Sequence, residues 1–161
     1  MFRIKRKAIV PTIALCILSL GFSLTGLSKE AFKPHNLTKG LALQGYDPVT
    51  YFKDKSPQKG MDNLRLNIDG ATYQFSSQAN LEEFKKNPEK YAPQFGGWCA
   101  YAMADADYVD IDPLTYKITD GKLYVFYNGW LGNTLKKWNK DEANLLTKAN
   151  NNWQSLREGS K

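Results

Sequence analysis

Two Asp-Gly pairs set the terms on which this chain can fold. Leu64, Leu66 and Ile68 alternate with polar residues, Asp69-Gly70 follows, and Tyr73 and Phe75 alternate on the far side. Alternation at a period of two marks strands with one buried face. Asp-Gly supplies the consecutive positive-φ residues of a tight hairpin turn. Ile118 to Phe126 repeats the arrangement around Asp120-Gly121, and Asp-Gly, Tyr and Phe all recur at an offset of 51 positions. Common hairpin grammar accounts for two such turns, so the echo is only a hint of internal duplication. The two hairpins predict an α+β fold, with one small antiparallel sheet of about four to five strands and helices packed on it.

The helices are legible from caps and spacing. Ser76 or Ser77 caps a helix that buries Leu81 and Phe84 at i, i+3, with Glu82 and Glu83 early, Lys85 and Lys86 late, and Pro88 as its stop. Gly96-Gly97 permits close backbone approach, and Trp98 to Ala104, uncharged and rich in alanine, predicts a short buried helix. Upstream, Gly45-Tyr46-Asp47-Pro48 reads as a turn into a strand over Val49–Phe52. From Trp130 to Leu156, the apolar residues Leu135, Trp138, Leu145, Leu146, Ala149 and Trp153 predict one or two amphipathic helices.

The N-terminus carries Arg3, Lys5, Arg6 and Lys7, then no charge from Ala8 to Leu27, and ends in Gly26-Leu27-Ser28. This is the pattern of an export signal over residues 1–28, with an uncleaved inner-membrane anchor as the alternative. Residues 29–44 then form a lead-in, and 45–158 a single domain. The 161-residue chain has 22 basic and 16 acidic residues; four of the basic ones fall in the leader, so the remainder is only +2. Overall charge therefore gives no support to a nucleic-acid partner. The expected address is the periplasm or the exterior, where a metal ion, a small ligand or an envelope protein is the expected partner, and a membrane is met only through an uncleaved N-terminal segment. Cys16 leaves with the leader, so Cys99 stands alone and no intramolecular disulfide can form.

Four segments together carry a resemblance: G-Y-D-P-V-T-Y-F from Gly45, F-S-S-x3-L-E-E-F-K-x-N-P-E-K-Y from Phe75, G-G-W-C-A-Y-A-M from Gly96, and D-G-K-L-Y-V-F-Y-N from Asp120. The chain resembles the YHS domain family, in the form found in small exported bacterial proteins, over about residues 41–156. Shorter YHS modules attached to metal-transporting ATPases have cysteines that suggest soft-metal binding. The resemblance puts those cysteine positions at Thr50, Ser76 and Asn80, where this chain has none.

The sharpest chemical expectation is a Cu(I)-type site. Cys99 and Met103 are four apart, so on a helix they share a face, and thiolate and thioether suit soft metals. His35, the only histidine, and Met61 are the candidates for a third ligand. The competing reading is that Cys99 and Met103 pack as hydrophobes in the core. A second functional class is a binding module whose aromatic residues, among them Tyr46, Tyr51, Trp98 and Tyr101, line a pocket beside Gly96-Gly97. Enzyme activity has little to stand on: there is no second cysteine for C-x-x-C chemistry, and the one histidine lies in the lead-in. The acidic run from Asp105 fails as an EF-hand, with Asp110 where Gly is required and Tyr116 in place of the closing Glu.

Overall fold

The structure is a computed structural model that describes residues 31–159. The leader expected over residues 1–28 lies outside them. No helix among the described residues is long and apolar enough to cross a membrane.

Both Asp-Gly hairpins form. Strands β3 (Met61–Ile68) and β4 (Ala71–Phe75) pair antiparallel across Asp69 (φ 50°) and Gly70 (φ 87°). Strands β5 (Asp112–Thr119) and β6 (Lys122–Phe126) do the same across Asp120 (φ 52°) and Gly121 (φ 71°). The hairpins do not share a sheet, which corrects the single-sheet expectation. The first extends through β2 (Leu41–Ala42) and β1 (Leu37–Thr38) in the order β1-β2-β4-β3, with β2 parallel to β4. The second stays two-stranded, and β7 (Asn128–Gly129) with β8 (Gly132–Asn133) makes a third small sheet. On the side of β6 away from β5, the described residues make only one bridge, Pro93 to Leu123. Proline has no N–H with which to continue a ladder there.

The echo at 51 positions extends to the whole register. Met61↔Phe75, Arg65↔Gln74, Leu66↔Tyr73, Asn67↔Thr72 and Ile68↔Ala71 in the first hairpin become Asp112↔Phe126, Tyr116↔Val125, Lys117↔Tyr124, Ile118↔Leu123 and Thr119↔Lys122 in the second. The irregularity between Met61 and Arg65 recurs between Asp112 and Tyr116. Each hairpin is also preceded by three consecutive left-handed residues: Leu43, Gln44 and Gly45 in one case, Phe95, Gly96 and Gly97 in the other. A short helix follows each triplet, α1 (Thr50–Lys53) and α4 (Ala100–Met103). The domain contains two successive copies of one structural unit.

Helix α2 (Gln78–Lys86) starts where expected, with the Ser77 side chain accepting from the Asn80 N–H, and α3 (Pro88–Tyr91) follows with Pro88 in its first turn. Val49–Phe52 is not a strand. The Asp47 carboxylate accepts the Val49 N–H at 2.9 Å and the Thr50 hydroxyl donates to the Asp47 carbonyl at 2.7 Å. These local bonds fold the segment into the α1 turn despite its β-branched residues. The tail forms α5 (Thr134–Trp138) and α6 (Glu142–Glu158).

The core has three clusters. One gathers Phe75, Phe84, Tyr73 and Tyr91 under the first hairpin. A second gathers Phe95, Met103, Phe126, Trp138 and Ala149 beneath α5 and α6. A third lies around Leu43, Tyr51, Cys99, Leu123 and Val125.

Candidate functional site

The most heavily bonded side chain near the sequence motifs is Asp47, which is fully buried. One carboxylate oxygen takes the Val49 N–H; the other accepts the Ser76 N–H at 2.8 Å, the Ser76 hydroxyl at 2.7 Å and the Asn80 amide at 2.7 Å. Asn80 also donates to Ser76 Oγ at 3.2 Å, and Thr50 Oγ1 accepts from the Gln58 N–H at 3.0 Å. The node therefore locks the D-P-V-T turn onto the start of α2. Residues 49–95 match the family model of the YHS domain.

The chain carries a YHS domain.

The match covers the first structural unit from α1 onward and ends at Phe95, so the second hairpin lies beyond it. No curated protein and no solved structure matches the chain. Within the YHS domain, Thr50, Ser76 and Asn80 converge on Asp47, so the three positions marked by the resemblance to metal-binding modules do meet in space. They present hydroxyl and amide groups: Ser76 and Asn80 are engaged with each other and with the Asp47 carboxylate, and the Thr50 hydroxyl with the Asp47 backbone carbonyl. Soft cations select thiolate and thioether donors. This donor set does not fit a Cu(I)-type ion.

The sequence-predicted ligands lie in separate surroundings. Cys99 is fully buried in the cluster with Leu43, Tyr51 and Leu123, while Met103, also fully buried, packs with Phe126 and Trp138. Cys99 precedes α4 with φ −57° and ψ 117°, outside the helical region, so the shared-face geometry of an i, i+4 helical pair does not apply. His35 Nε2–H donates to the Asp69 carbonyl at 2.9 Å, and Met61 is 48% exposed on β3. Among the described residues, no group of three His, Cys, Asp or Glu side chains could hold a metal ion.

The predicted aromatics are spread as well. Tyr51 is buried, edge-on to Tyr116, and donates its hydroxyl to the Pro113 carbonyl at 2.9 Å. Burial first, then the nearby Tyr46, Tyr116 and Asp112, push its ionisation far above the usual tyrosine range. Tyr46 faces the Lys59 ammonium at 4.2 Å, and Tyr101 packs near Cys99. Trp98 stacks edge-on with Tyr108 and donates Nε1–H to the Lys33 carbonyl at 3.0 Å.

That last bond belongs to a clasp. Lys33 N–H donates to the Tyr108 hydroxyl, Asn36 N–H donates to the Gly96 carbonyl, and the Asn36 amide reaches the Gly97 carbonyl and Asp110. The clasp carries the lead-in across the Gly-Gly step and creates a cleft of about 450 Å³. Its walls include Phe32, His35, Tyr73, Phe84, Gly96 and Trp153. A pocket does stand beside Gly96, but of the aromatic residues proposed from sequence none lines it. Phe32 and Trp153 meet there at 5.1 Å from opposite ends of the domain, a proximity with no local sequence signal. The Asp47 node did have one, in the Asp-Pro turn and the Ser-Ser-x2-Asn helix start.

Proposed function

We propose that this YHS-domain protein is a non-enzymatic binding module that holds a small, largely apolar ligand in the cleft beside Gly96. The observation that carries this reading is the cleft itself. Its volume of about 450 Å³ falls within the range of small-molecule sites, roughly 300–1,000 Å³. Aromatic walls supply contact area, and His35 supplies a directional polar group. In the tautomer whose Nε2–H donates to Asp69, Nδ1 is an acceptor for a ligand N–H or O–H. Export through the N-terminal leader belongs to the same proposal and places the module in the envelope.

The test is a titration of the full chain with 8-anilinonaphthalene-1-sulfonate, which fluoresces in apolar sites. One saturable equivalent, lost when Ala92→Trp fills the cleft and weakened about tenfold in Phe32→Ala, supports the reading. The finer soft-metal reading, with Cys99, Met103 and His35 as ligands, is read in the same preparation by anaerobic Cu(I) competition. One tight equivalent of copper that disappears in Cys99→Ser would replace the small-ligand proposal with a metal-handling one.

A further inference from the structure

The two structural copies place Asp47 and Cys99 at the same point. Asp47 lies four residues after Leu43, the first of its left-handed triplet, and Cys99 lies four residues after Phe95, the first of its own. Asp47 N–H donates to the Gln58 carbonyl at 2.8 Å, and Cys99 N–H donates to the Val109 carbonyl at 3.0 Å. The Asp47 carboxylate accepts the N–H of Ser76, the first residue after β4. The Cys99 thiol accepts the N–H of Tyr127, the first residue after β6, at 3.4 Å. Both side chains are fully buried.

The surroundings of the two nodes differ. In the first copy, the chain after β4 enters α2, and Ser76 and Asn80 fill the space above the carboxylate. In the second copy, the chain after β6 enters the β7–β8 hairpin instead. The space above Cys99 is left as a pocket of about 220 Å³. Tyr101, Ala102, Val109, Tyr127 and Leu131 form its walls, with Thr134 beside the thiol on its floor. Asp105, Asp107 and Lys137 bound it, and all three are exposed.

We propose that the second copy uses this pocket to bind a compact organic cation with an apolar body. The aromatic and aliphatic walls suit the body, and the two carboxylates at the edge outnumber the single ammonium. The Lys137 ammonium already sits 5.7 Å from the centre of the Tyr101 ring, so the wall accommodates a cation against an aromatic face. The site is distinct from the cleft beside Gly96: the two share no lining residue.

The full chain is titrated with phenethylamine as the probe cation and 2-phenylethanol as its uncharged counterpart, by calorimetry at low and high salt. The expected result is one equivalent of phenethylamine, bound at least tenfold more tightly than 2-phenylethanol and weakened by added salt. Replacing both edge carboxylates, Asp105→Asn with Asp107→Asn, should remove that preference without disturbing the fold. Ala102→Phe, which fills the pocket, should abolish binding and leave the anilinonaphthalene titration of the other cleft unchanged. Absence of saturable phenethylamine binding at millimolar concentration overturns the proposal, as does binding that survives Ala102→Phe. Equal binding of the two probes overturns the cation assignment.

Discussion

At the scale of single residues, the equivalence of Asp47 and Cys99 turns on the strength of the acceptor each presents. Asp47 satisfies two backbone N–H groups and two side-chain donors with an ionisable oxygen pair. Truncation to alanine leaves the buried Val49 N–H without this partner and takes the carboxylate from the part-buried Ser76 and Asn80 donors, and a buried donor left unpaired costs about 1–3 kcal/mol. Asp47→Ala is expected to lower the unfolding free energy by about 3–5 kcal/mol, measured by urea denaturation. Sulfur is a weak acceptor. Cys99→Ala gives up two long bonds, to the Tyr127 N–H and the Thr134 hydroxyl, and some packing, and should cost only about 1–2 kcal/mol in the same measurement. A cost as large as that of Asp47→Ala would show that Cys99 does more than hold the turn. From sequence, the Asp47 motif was visible as a turn, but a thiol standing where a carboxylate stands in the other copy was not. Cysteine and aspartate share no propensity that would align them.

At the scale of elements, the critical contact is between the lead-in and the Gly-Gly step. Gly96 has φ +61°, and a Cβ there would lie 1.9 Å from the Pro34 carbonyl oxygen. No flexible side chain can yield at that point, because the obstacle is backbone. Gly96→Ala should therefore release residues 31–36 from the clasp and destabilise the domain by about 2–4 kcal/mol. Limited proteolysis should then cut before Asn36 in the variant and spare the parent. A second junction joins β5 to α6, where Lys117 contacts Glu142 at 2.5 Å and Thr119 donates to the same carboxylate at 2.7 Å. Partial burial pushes the Glu142 carboxyl upward, but the Lys117 and Thr119 hydrogen bonds outweigh it and hold the group below its ordinary range. A folded pKa below the unfolded one gives stability that is present above the unfolded value and fades as pH falls through the folded one. Glu142→Gln should flatten that acid limb of the stability curve and cost about 1 kcal/mol near neutrality.

At the scale of the whole molecule, each core cluster contains a tyrosine whose ionisation is suppressed: Tyr124, Tyr73 and Tyr51. Burial is the leading cause in all three, and Tyr73 is raised to about 12. The unfolded chain loses these protons first, near the ordinary value of about 10. Between the unfolded and folded values the native state binds more protons, so stability falls as pH rises. The unfolding free energy from urea titrations should hold steady up to about pH 10 and then drop toward pH 12, by an amount on the order of 2 kcal/mol for Tyr73 alone. Tyr73→Phe should remove its share of that slope; an unchanged slope would mean that the hydroxyl is hydrated in the folded state.

The sequence alone determined what depends on near neighbours. Asp-Gly turns, alternating strands, the Ser77 cap and the Pro88 stop are local chemistry, and each appears where its residues predict it. The α+β class and the YHS resemblance follow from the same short-range patterns. The tertiary structure decided what depends on residues far apart in the chain. It divided the two hairpins between separate sheets, curled Val49–Phe52 around a buried carboxylate, and packed Cys99 and Met103 into different core clusters. It also drew Phe32 and Trp153 together into one cleft wall. Side-chain hydrogen bonds and close backbone approach act over ångströms in space with no regard for distance along the chain, so periodicity carries no record of them.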